Sequence, residues 1–168
     1  MSSASQGGLL WWVVPGVLAG MPMPYVHAER RLNGEGALNA YEDELPELYV
    51  AGIRAIVSLL NIPSDAAVFE SAGFSFICLP VPDGGAPTLE QATEFVRFVD
   101  QQRAIGRAIA VHCEAGLSRT GTMLAAYLIA HGETAEKAIH RIREVERVAV
   151  ETPRQLAFLQ DFAEIRTR

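Results

Sequence analysis

Short continuous apolar runs take turns along this chain with longer stretches at helical spacing. Leu10-Trp11-Trp12-Val13-Val14 and Val17-Leu18-Ala19 are β-like runs parted by the turn pair Pro15-Gly16, and predict a hairpin at a sheet edge. Residues 38–52 predict a helix with Leu45, Leu48 and Tyr49 on one face; Pro46 pushes its start toward Glu44, and Gly52 stops it. Residues 53–60 read as a strand, 65–72 as a short helix closed by Gly73, and 74–79 as a further strand. The stretch from Pro80 to Pro87 cannot be regular structure. Thr88-Leu89-Glu90-Gln91 opens the next helix as a capping box, with Phe95, Val96, Phe98 and Val99 on its apolar side. After a strand at 108–111 come a helix at 122–130, a break at His131-Gly132, and a helix capped by Thr134. A second capping box, Glu151-Thr152-Pro153-Arg154-Gln155, with Pro at the first helical position, opens the last helix. Strands alternating with helices predict an α/β fold with a largely parallel sheet.

One stretch carries chemistry. The buried run Ala108-Ile109-Ala110-Val111 leads into His112-Cys113-Glu114-Ala115-Gly116-Leu117-Ser118-Arg119-Thr120-Gly121, and an apolar helix follows. The first N–H groups of a helix lack intrahelical partners and carry partial positive charge. A loop curling into such a terminus makes an anion cradle. Gly116 and Gly121 ease the curvature. Arg119 brings a planar fork that can hold two phosphate oxygens. The same field favours the thiolate of a cysteine placed in it. The plain alternative, a structural cysteine near a surface arginine, leaves the glycines, the hydroxyls of Ser118 and Thr120 and the flanking elements unexplained.

Asp83 lies in the Pro/Gly stretch, thirty residues before Cys113 (113 − 83 = 30). It reads either as a turn former in an Asp-Gly pair or as an acid reaching a leaving group. Tyr25, His27, Arg30 and Arg31 are candidates for a pocket wall or for ordinary surface, and Trp11 and Trp12 for core packing.

Composition narrows the picture further. The chain has 168 residues, enough for one domain spanning 1–168, with a Ser/Gly-rich, disordered start at 1–8. The net charge of −6 argues against nucleic-acid and anionic-membrane partners. The apolar stretch from Leu9 to Met23 is broken by Pro and Gly and reads neither as a signal peptide nor as a span. The two cysteines, Cys78 and Cys113, are too few for a disulfide framework, and a reactive thiol suits a reducing cytoplasm. The four histidines and the cysteines show no metal-ligand spacing, so no metal or cofactor is expected. Cys78 reads as a packed strand cysteine, or as a redox partner for Cys113 if the two lie close enough.

His112-Cys113, five residues, then Arg119-Thr120 match the His-Cys-x5-Arg-[Ser/Thr] signature, and the chain resembles the atypical dual-specificity phosphatases from Trp12 to Phe162. Trp12 to Gly20, Val81-Pro82-Asp83, Val111 to Tyr127 and Val150-Glu151-Thr152 carry the resemblance. It implies a cysteine-phosphatase fold, with a mostly parallel twisted sheet of about five strands flanked by helices. It implies a nucleophile at Cys113, a phosphate-binding arginine at Arg119, and a general acid at Asp83. It further implies a hydroxyl at Thr120 that eases the thiolate's departure, and water-orienting residues at Gln155 and Glu151. The phosphate loop would be His112, Glu114, Ala115, Gly116, Leu117, Ser118 and Arg119, with His112 orienting it.

The implied activity is hydrolysis of phosphotyrosine, and of phosphoserine and phosphothreonine, in proteins through a phosphocysteine, by a monomer. Glu114 departs from the lysine of phosphoinositide-directed relatives and should disfavour polyanionic headgroups. The short chain should give a shallow pocket that admits phosphoserine and phosphothreonine. A non-protein phosphate substrate (lipid, RNA 5′ end or nucleotide) and a phosphoresidue-binding module without turnover are the alternatives.

Overall fold

In a computed structural model of the chain, residues 9–23, 44–61 and 63–168 are described. The first eight residues, the predicted helical stretch 38–43 and the wall candidates Tyr25, His27, Arg30 and Arg31 lie outside them. The Pro15-Gly16 pair joins β1 (Trp11–Val14) to β2 (Leu18–Met21) in the expected antiparallel hairpin, with β1 at the sheet edge. Helical residues 44–50 (α1) precede β3 (Ile53–Ser58), α2 (Pro63–Ser71) and β4 (Ser75–Cys78). Then come α3 (Leu89–Ala104), β5 (Ala108–His112), α4 (Ser118–Ala130), α5 (Ala135–Val145) and α6 (Pro153–Arg166). Helix α2 starts two residues earlier than the apolar pattern predicts, because proline is tolerated in a first turn, where its missing N–H would be unpaired anyway.

The five strands lie in the order β1-β2-β5-β3-β4, and every pair but the β1–β2 hairpin is parallel. Helical crossovers link the parallel strands and cover both faces. Helix α4 is buried on every side from Arg119 to Ile129, packed against α3, α5, α6 and β2. No helix among the described residues is long and apolar enough to cross a membrane.

Alternation along β5 aims the site. Ile109, Val111 and Cys113 join the core shared with α4, whereas Ala108 and Ala110 join the core on the opposite face, which includes Phe69. Successive side chains of a strand point to opposite faces. Cys113 therefore continues the α4 side, and His112 lands on the α2 side with its ring 5.9 Å from Phe69. Beyond β4, the chain keeps pairing past the strand ends: Leu79 N donates to Ser58 O at 2.8 Å and Val81 N to Leu59 O at 3.0 Å. The stretch holding Asp83 thus leaves the sheet at the same carboxyl edge as the loop holding Cys113, the edge where open parallel sheets bind ligands.

Candidate active site

Helix α4 begins at Ser118, four residues before the predicted start, so Arg119 and Thr120 sit in its first turn. Helices α3, α5 and α6 are each capped by a threonine (Thr88, Thr134 and Thr152) whose hydroxyl accepts a backbone N–H. Helix α4 has Leu117 at that position and no side-chain cap. Its first N–H groups are left for a ligand, directly after the buried Cys113.

The loop is held from below. Trp11 Nε1 donates to Gly116 O at 3.0 Å, and Met23 N donates to Glu114 O at 3.0 Å. Gly116 has φ +74°, and a Cβ there would stand 2.1 Å from Met21 O. Gly106 has the same φ with nothing within 4 Å of a Cβ. Gly106→Ala is expected to cost about 1 kcal/mol, and Gly116→Ala about 3 kcal/mol or more, because only the second meets backbone. Denaturant titration of the two variants checks it; equal losses would mean that strain alone matters. Gly121 plays a different part from the curvature expected of it. It lies inside α4, and a Cβ on it would meet Ala149 Cβ at 2.6 Å.

His112 is fully buried, with Nδ1 3.1 Å from Cys113 O. A carbonyl only accepts, so Nδ1 carries the hydrogen and ties the ring to the loop's backbone. Burial pushes its pKa down to about 4, partly offset by that hydrogen bond. An unfolded chain protonates the same ring near 6.5. Between those values the unfolded state binds the extra proton, so this contribution to stability is full above about pH 6.5 and is lost as pH falls toward 4. The expected loss is about 3 kcal/mol. Denaturant titrations at neutral and acid pH check it, against His112→Asn, which keeps an N–H donor without a titrating ring.

The structure brings Arg119 and Asp83 together. Arg119 is buried; its Nη1 donates to Val81 O at 3.0 Å, and its Nη2 lies 3.5 Å from Asp83 Oδ1. The Asp83 side chain stays 91% exposed. Its loop is pinned through the backbone: Gly85 N donates to Pro82 O at 2.8 Å, Thr152 Oγ1 to Gly84 O at 2.9 Å, and Gln155 Nε2 to Gly85 O at 3.1 Å. Gln155, fully buried, also meets the phosphate loop, with Ser118 Oγ 2.8 Å from Nε2 and 3.0 Å from Oε1. Glu151 joins this cluster only through its backbone N–H, which donates to Gln155 Oε1 at 2.9 Å; its side chain is exposed. Thr120 Oγ1 is buried with no hydrogen-bond partner among the described residues. Glu114 and Ala115 are exposed at the loop crest.

Three supports were not legible from the sequence. Trp11 reaches the loop across 105 positions. Val150, a β-branched residue, takes φ +61°, a conformation that costs about 1–3 kcal/mol. Arg143 holds it there, donating to Ala149 O at 3.1 Å and to Val150 O at 2.6 Å. Cys78 is not part of the site. It and His112 pair with the same residue, Ser58, from opposite sides of β3. Two strand spacings of about 4.8 Å hold β4 and β5 apart, beyond the about 7 Å that a disulfide bridges. Cys78 is exposed at the end of the edge strand β4 rather than packed as expected; its Sγ donates to Leu60 O at 2.9 Å, and partial desolvation of the thiol, with the Asp65 charge, pushes its pKa up.

The chain is similar to known phosphatases. Tyrosine-protein phosphatase cdc-14 of Caenorhabditis elegans is 32% identical over 156 residues, covering 89% of this chain and 21% of the relative. Dual specificity protein phosphatase CDC14B of Mus musculus is 31% identical over 157 residues, covering 90% of this chain and 30% of the relative. The chain therefore spans less than a third of the length of these curated relatives. The solved structure of Tk-PTP in the active form superposes with a TM-score of 0.78 at 26% identity, covering 95% of this chain and 99% of that one. The family model described as "Polymorphic toxin system, DSP-PTPase phosphatase" matches residues 32–133. That match takes in the Asp83 loop, β5 and the phosphate loop in their order, over more than half of the sequence, and on it the chain belongs to the DSP-PTPase phosphatases.

Proposed function

We propose that this chain is a cysteine-dependent protein phosphatase, hydrolysing phosphotyrosine and also phosphoserine and phosphothreonine. The observation that carries the reading is the meeting of three groups at one sheet edge. These are a buried cysteine at the end of β5, the side-chain-uncapped N-terminus of α4, and a buried arginine 3.5 Å from an exposed carboxylate.

Arg119 and the N–H groups of the loop hold the phosphoryl oxygens and stabilise the charge that grows on them in the transition state. The Cys113 thiolate attacks phosphorus, the bond to the leaving oxygen breaks, and Asp83 gives that oxygen its proton. The product is a phosphocysteine. Asp83, now a carboxylate, takes a proton from water as the water oxygen attacks phosphorus. The thiolate leaves, eased by the Thr120 hydroxyl, and inorganic phosphate is released.

A phosphoprotein is favoured over a polyanionic lipid because Glu114 places a carboxylate at the exposed crest of the loop. The reading takes a monomer as the working unit, and the thiolate chemistry suits the reducing cytoplasm. Phosphate release from phosphotyrosine and phosphothreonine peptides and from a phosphoinositide, with a chelator present, tests the reading. Release from both peptides is the expected result; release from the lipid alone would replace it with lipid hydrolysis.

A further inference from the structure

An amide side chain has two acceptor lone pairs and two N–H donors. All four are in use at Gln155. Oε1 accepts from Glu151 N and from Thr152 N at 2.9 and 3.1 Å; Nε2 donates to Gly85 O and to Ser118 Oγ at 3.1 and 2.8 Å. A residue that orients a hydrolytic water needs one of these groups to be open. Gln155 instead joins three segments: the start of α6, the turn after Asp83, and the first residue of α4. Thr152 runs beside it, capping α6 through Gln155 N while donating to Gly84 O.

Asp83 has little else to hold it. Its side chain is almost wholly exposed, and among the described residues its carboxylate meets only the Arg119 fork that a phosphate would occupy. Where that carboxylate stands is set by its backbone, and the backbone of the turn is tied down at Gly84 and Gly85.

We infer that Gln155 is a positioning residue, a strut that registers the Asp83 turn on the phosphate loop so that the acid stands over the leaving oxygen, rather than a residue that orients water for the second step. The inference rests on the phosphatase reading above. A strut of this kind acts on the first step and only where the leaving group needs a proton. A water-orienting residue acts on the second step, whatever the leaving group.

Two aryl phosphates separate these roles. The phenolate of 4-nitrophenyl phosphate departs largely unaided, whereas that of phenyl phosphate needs its proton. Gln155→Met is expected to lower kcat/KM on phenyl phosphate by about 100-fold and on 4-nitrophenyl phosphate by about threefold or less. The high-pH limb of the phenyl phosphate profile should flatten with it, as in Asp83→Asn. Gln155→Glu keeps both accepted bonds and loses both donated ones. Its added charge weighs on both substrates alike, so the ratio between them must still shift in the same direction. Should Gln155→Met fail to fold, as a melting curve would show, Thr152→Val decides on the same ratio, with rescue by Thr152→Ser. Equal losses on both substrates, with a burst of phenol marking slow hydrolysis of the phosphocysteine, would overturn the strut in favour of water orientation. Unchanged rates on both would overturn it outright. A parent enzyme that turns over neither substrate would instead remove the phosphatase reading, and the strut with it.

Discussion

Cys113→Ser is expected to lower phosphate release by about 10⁵-fold or more while leaving phosphopeptide binding in place. The two halves of this result come from different parts of the site. Attack on phosphorus needs an anionic nucleophile, and a serine hydroxyl in this loop gets no help from the neighbouring imidazole in losing its proton. The imidazole of His112 points away, on the opposite face of the sheet, with its Nδ1 hydrogen committed to Cys113 O. Binding depends on the N–H groups of the loop and on Arg119, none of which the substitution touches. The change is also isosteric to within one atom at a buried position, so the fold should survive. Single-turnover phosphate release and calorimetric titration of a phosphotyrosine peptide read the two halves. Retained turnover would mean that phosphorus is attacked by something other than Cys113. Loss of binding together with turnover would mean that the loop itself had collapsed.

Arg119→Lys is the second large effect, expected at about 10³-fold in kcat. The substitution preserves the charge and removes the fork. Arg119 uses one Nη to hold Val81 O at 3.0 Å, which fixes the guanidinium plane, and this leaves the rest of the fork to meet two phosphoryl oxygens at once. An ammonium can serve the carbonyl or the phosphate, as a point charge, but not both in one plane. Because the equatorial oxygens gain their geometry and charge distribution in the transition state, the loss should fall more on kcat than on KM. A loss confined to KM would mean that Arg119 only attracts the substrate. Melting curves separate this from the structural cost of freeing Val81 O in a buried place.

Much of the fold was legible because its signals are local. The Pro15-Gly16 pair parts β1 from β2; Thr88, Thr134 and Thr152 cap the three helices they were expected to cap; and Gln91 and Gln155 complete their boxes. Each of these is decided within about four residues of backbone. The start of α4 was misplaced by four residues for an equally local reason: Ser118-Arg119-Thr120-Gly121 is not apolar, and periodicity finds a helix only where its buried face is greasy. Tertiary packing buries those residues regardless.

By itself the sequence determined the mostly parallel α/β class and singled out the loop that ends β5, with Cys113 and Arg119 on it, because strand alternation, helix termini and side-chain type follow from near neighbours. From the residues alone Asp83 was divided between a turn and an acid; the general-acid role for Asp83 and the water-orienting role for Gln155 came with the resemblance. Only the tertiary structure put β5 between β2 and β3, laid Trp11 under Gly116, set Arg119 3.5 Å from Asp83, and closed Gln155 against Gly85 and Ser118. These contacts join residues 36 to 105 positions apart (119 − 83 = 36 for the ion pair). At such separations no local preference specifies a hydrogen bond; it forms only once the packing of the sheet and its helices has brought both partners to one edge.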